Sequence, residues 1–69
     1  METGTKIDKL TATIGRELVG KRIKYLRNSD RSPRGNIYRE GIVTEYLRKH
    51  LEINGDYIHF SQIASIEII

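Results

Sequence analysis

The chain has no cysteine and no tryptophan, one proline, one phenylalanine and one methionine. Without cysteine there are no disulfides and no thiolate metal sites, so any stability must come from packing. No run approaches the roughly 18 consecutive apolar residues that a membrane-spanning helix needs. The first ten positions, Met1 to Leu10, are polar and do not form the charged-then-apolar pattern of a secretory signal. These absences predict a cytoplasmic or nucleoid-associated protein with no membrane association. With 69 residues there is room for one thin core and no second domain, and a core of that size is marginal without a partner or ligand to add to it.

Missing constellations also narrow the chemistry. There is no Gly-rich phosphate cradle, no G-x-S-x-G elbow and no cluster pairing a nucleophile with an oriented base. The sequence therefore predicts a binding module rather than an enzyme, and calls for no cofactor.

Charge is present but unevenly spread. The net charge is +3, yet seven basic residues stand between Lys21 and Arg39 against Asp30 alone, giving +6, while the other positions sum to −3. Clustered Arg and Lys supply the phosphate contacts that dominate nucleic-acid affinity. Lys21, Arg22, Lys24, Arg27, Arg31, Arg34 and Arg39 are the candidate phosphate contacts, with Tyr38 as a stacking face for a base.

Ile7, Leu10, Ile14 and Leu18 recur at helical spacing, which predicts a short amphipathic helix within an N-terminal segment, residues 1–19. Thr11, Thr13 and Gly15 disfavour a helix there, and the alternation Leu10, Ala12, Ile14 also suits a strand. From Val19 the pattern changes to alternation, with Val19, Ile23 and Tyr25 on one side and Arg22 and Lys24 on the other, which predicts a strand from about Lys21 to Arg27. Asn28 to Asn36 is made of turn formers and reads as a solvated loop. Ile37 to Leu47 is rich in β-branched and aromatic residues and predicts a second strand, bent at Gly41.

Asn54-Gly55 between two alternating runs predicts a two-residue type I′ hairpin, because both central positions need positive φ. That turn sets a register in which Ile53 faces Asp56, Glu52 faces Tyr57, Leu51 faces Ile58 and His50 faces His59. Leu51, Ile53, Ile58 and Phe60 then point to the core. Two histidines beside Glu52 could bind zinc, but two imidazoles fall short of the ligand set a structural site needs, so no metal is expected. Phe60 to Ile63 reads as a turn and Ala64 to Ile69 as the last strand. Ile66, Ile68 and Ile69 cannot all face one core if that strand alternates, so at least one should lie outward or meet a partner.

A strand opening at Gly20-Lys21, a second strand with a mid-strand glycine, a tight hairpin and Tyr57-Ile-His-Phe-Ser-Gln-Ile-Ala-Ser-Ile66 together resemble the small SH3-like and Sm-like barrels. The resemblance spans about Gly20 to Ile69 and implies a mainly β fold, a five-stranded antiparallel barrel over residues 20–69 with a short N-terminal helix. It implies an architecture and no activity, because the uridine-pocket residues of Sm-like proteins have no counterpart here. Two functions fit: a nucleic-acid-binding module using the Lys21 to Arg39 surface, or a protein-interaction adaptor using an exposed sheet edge and the apolar C-terminus, including as a homo-oligomer.

Overall fold

The computed structural model describes residues 4–69, so positions 1–3 of the N-terminal segment lie outside the described residues. The chain forms strand β1 (Lys6–Ile7), helix α1 (Ala12–Leu18), and strands β2 (Arg22–Arg27), β3 (Arg39–Leu47), β4 (His50–Ile53), β5 (Asp56–His59) and β6 (Ile63–Ile68). Single 3₁₀ turns follow β2 at Asn28–Asp30 and β5 at Phe60–Gln62. All strand pairs are antiparallel, in the order β1-β6-β2-β3-β4-β5. The fold is thus mainly β with one short helix, but it departs from a five-stranded barrel in two respects.

Among the described residues the sheet has six strands and is not closed, since β1 and β5 are its two edges. The extra strand is β1, which pairs Lys6 with Glu67 and Ile7 with Ile66. The final strand is therefore not an edge, because β6 is flanked by β1 on one side and β2 on the other. Nor are its isoleucines left over: Ile66 and Ile68 are buried, while Ile69 is half-buried with its amide donating to the Arg22 carbonyl at 3.0 Å.

The helix is shorter than the apolar spacing predicts. Ile7 belongs to β1 and Leu10 precedes the helix, yet Ile7, Leu10 and Ile14 all pack on the core around buried Leu18. Thr11, a poor interior residue, serves as the N-cap, its hydroxyl accepting from the Ile14 amide at 3.2 Å. Gly15 is required by proximity: an added Cβ would lie 2.5 Å from the Tyr46 ring and 3.0 Å from Phe60.

The hairpin has the register expected from its turn, with Asn54 at φ 55° and Gly55 at φ 86°. Leu51, Ile53 and Ile58 are fully buried and join Leu18, Ile23, Tyr25, Val43, Ile66 and Ile68 in one core. The irregularity in β3 falls at Thr44, between Val43 and Glu45, rather than at Gly41. Gly41 has a different purpose, since a Cβ there would sit 2.7 Å from Ile53 and 2.8 Å from the Asn54 amide group. That clearance lets Asn54 donate from Nδ2 to the Glu40 carbonyl at 3.2 Å, fastening the hairpin tip to β3.

Candidate nucleic-acid interface

Strand alternation puts Ile23 and Tyr25 in the core and turns Arg22 and Lys24 outward. Their neighbours are acidic. Lys24 lies between Glu40 of β3 and Glu67 of β6 in the ladder, and Arg22 Nη2 donates to Glu40 Oε1 at 3.5 Å in an exposed ion pair. Lys24 also holds its ammonium 5.0 Å from the centroid of the Tyr38 ring, a cation–π distance. A cleft of about 510 Å³ runs across this face with Lys6, Asp8, Lys24, Tyr38 and Glu67 among its walls, so its charge is mixed.

Arg39 is committed as well. Its Nε donates to Asp30 Oδ2 at 2.8 Å and its Nη2 reaches Oδ1 at 3.5 Å. That hydrogen bond holds the Asp30 carboxyl below its ordinary value and raises the Arg39 guanidinium. The Ile37 amide donates to the Asp30 carbonyl at 3.1 Å, so the long loop is tied at its base by both backbone and side chain. Within the loop, the Ser32 hydroxyl accepts from the Arg34 amide at 3.2 Å and the Ser32 carbonyl from the Gly35 amide at 3.0 Å. Gly35, at φ 130°, takes a conformation costly for other residues. This compact turn displays Arg31 and Arg34, both exposed and outside the two ion pairs found among the described residues.

Arg27 ends β2 beside this loop. It is half-buried, and its Nε is enclosed by protein with no hydrogen-bond partner. Together with Asn28, Ser29, Ser61 and Gln62 it lines a cleft of about 260 Å³. Asn28 Nδ2 donates to the Ser61 carbonyl at 2.7 Å, which joins the start of the loop to the turn before β6. That turn is capped by His59, whose Nδ1 accepts from the Ser61 amide at 3.0 Å, while Gln62 Oε1 accepts from the His59 amide at 3.2 Å. The Tyr25 phenol nearby is pushed up by burial against the opposing pull of Arg39 and Arg27.

The eight expected contact residues therefore separate into four sets. Lys21, half-buried, precedes β2 at the end opposite Arg27, about 20 Å away at strand rise. Arg22, Lys24 and Tyr38 share the outer face with carboxylates, and Arg39 is locked to Asp30. Arg27 stands at the end of β2 that leads into the loop, and Arg31 and Arg34 lie exposed within the loop. Asn28, Ser29, Ser61 and Gln62 were not among the expected site residues. Ser61 and Gln62 carry no local signal, since they meet Arg27 only through the sheet.

His50 and His59 do face each other, ring centroids 4.8 Å apart and edge to face. Both Nδ1 atoms are engaged, that of His50 with the Arg48 carbonyl at 2.9 Å and that of His59 with the turn it caps. Glu52 accepts from the Thr44 hydroxyl at 2.6 Å instead of approaching them. Among the described residues no group of three or more metal-ligating side chains converges, and no helix is long and apolar enough to cross a membrane. Compared with protein-family models, curated proteins and solved structures, the chain matches none.

Proposed function

We propose that this protein is a non-catalytic nucleic-acid-binding module that grips the phosphate backbone through Arg27, Arg31 and Arg34. The observation that carries the reading is the pairing of Asp30 with Arg39. Asp30 is the one acid between Lys21 and Arg39, and its commitment to Arg39 leaves Arg31 and Arg34 without a local counter-charge. Arg27 adds a half-buried guanidinium whose Nε has no protein partner among the described residues.

The mode of binding follows from what surrounds these cations. The loop offers donors but no rigid element shaped to enter a groove, so contact is to phosphate and not to base edges. Tyr38 is half exposed and already holds Lys24 over one face of its ring, which makes it a secondary stacking platform. Three phosphate contacts predict a slope of about −2 to −3 in log affinity against log salt. Titrating the protein into labelled single- and double-stranded oligonucleotides at stepped salt tests this. Binding with that slope supports the reading, and no binding at low salt, or binding insensitive to salt, overturns it.

A further inference from the structure

The sheet has an unguarded edge at β5, and that edge is self-complementary. In a two-residue hairpin the pair closing the turn, Ile53 and Asp56, exchanges both backbone hydrogen bonds, and the bonding alternates from there. Leu51 and Ile58 are the next bonded pair, so Tyr57 and His59 direct their amides and carbonyls away from β4. The His59 amide is consistent with this, since it donates outward to Gln62 Oε1 at 3.2 Å. Gln62 thus shields one donor, and the His59 carbonyl, at the N-cap of the Phe60–Gln62 turn, accepts the first bond of that turn, which leaves the Tyr57 amide and carbonyl open.

We propose that β5 pairs antiparallel with β5 of a second copy about a two-fold axis beside Tyr57. In that register each Tyr57 amide donates to the Tyr57 carbonyl of the other copy. At the next pair the Gly55 amide, which makes no backbone hydrogen bond among the described residues, meets the second lone pair of the His59 carbonyl. The shielded His59 amide is left out because it already has its partner in Gln62, and the Gly55 carbonyl opposite it stays with solvent. Because any antiparallel strand can supply these backbone bonds, the choice of a second copy rests on the charges at the two ends of the edge.

Charge selects the same direction. One end of the edge carries exposed Asp56. The other end abuts the turn between β3 and β4, where the Lys49 carbonyl accepts from the Phe60 amide at 2.8 Å and Arg48 and Lys49 are exposed. Antiparallel pairing sets the acidic end of each copy toward the basic end of the other, whereas parallel pairing sets like ends together. Tyr57 on the edge and Leu47 of β3, each about half exposed, line a shallow hollow with Arg48 and His50, giving the pair apolar surface to cover. The resulting dimer consumes both β5 edges, so association closes at two copies.

The test is the mass of the full chain by light scattering and sedimentation from micromolar to millimolar concentration. A monomer–dimer equilibrium is expected, with no larger species. Tyr57→Pro removes the outward amide without breaking a bond to β4 and should weaken the dimer at least about tenfold. Because that variant also loses the tyrosine ring, a charge exchange is run beside it: Lys49→Glu and Asp56→Lys each weaken the dimer, and the double variant recovers it. Circular dichroism reports that each variant is folded. A monomer throughout the range, a dimer indifferent to Tyr57→Pro in a folded protein, or a double variant no better than the singles overturns the proposal.

Discussion

Arg39 Nε donates to Asp30 Oδ2 at 2.8 Å, and this hydrogen bond determines which cations of the loop are free. It lowers the Asp30 carboxyl in the folded state. A depressed folded value means that the contribution to stability is present above the unfolded value, near 3.8, and is lost as pH falls through the folded one. Asp30→Asn should abolish this acid-side loss and release Arg39. Thermal midpoints measured from neutral to acid pH should therefore converge between wild type and variant at low pH, and the variant should bind phosphate chains more tightly at neutral pH.

Tyr57 gives the corresponding effect at alkaline pH. Its hydroxyl donates to Glu45 Oε2 at 2.8 Å, and with that hydrogen bond as the main cause its phenol is pushed up to about 12. A raised folded value makes the contribution full below the ordinary 10.0 and lost as pH climbs from there through about 12. In an ultraviolet titration of the four tyrosines, Tyr57→Phe should remove a late-ionising step. A titration in which the variant loses an ordinary early step contradicts the geometry.

Gly15→Ala should destabilise the domain although alanine is the better helix former by about 1 kcal/mol. The added methyl meets the Tyr46 ring at 2.5 Å, and overpacking of this kind costs about 1–3 kcal/mol. A lower midpoint in thermal unfolding is the expected outcome, with α1 swung off β3. Phe60 lines the same junction, its ring centroid 5.8 Å from that of Tyr46.

The hairpin and the loop were legible in the sequence because their causes are local. Asn54-Gly55 dictates its own turn, the turn dictates register, and alternation then assigns Leu51, Ile53 and Ile58 to the core. Open edges and charge partners have distant causes. β1 is two residues long and exists only because β6, some sixty positions later, offers its edge. That pairing also covers the edge at which the C-terminal isoleucines suggested an interface. The charge imbalance between Lys21 and Arg39 is real along the chain, yet Glu40 and Glu67 lie beside Lys24 through the sheet. A count over neighbours in sequence misses carboxylates delivered across strands. Phe60 was legible as a core residue and packs there partly buried, while the His59 cap beside it depends on side-chain geometry that no periodicity encodes.

The most direct test of phosphate binding at the loop is the salt dependence of oligonucleotide affinity for the triple variant Arg27→Ala, Arg31→Ala, Arg34→Ala. Arg31 and Arg34 are exposed and Arg27 is half-buried with an unmet donor, so folding should change little. Binding should weaken, with the slope of log affinity against log salt flattened by about 0.7 to 0.9 for each arginine removed. Unchanged affinity and slope in a variant with a wild-type thermal midpoint would contradict the assignment of these three arginines as the groups that grip phosphate.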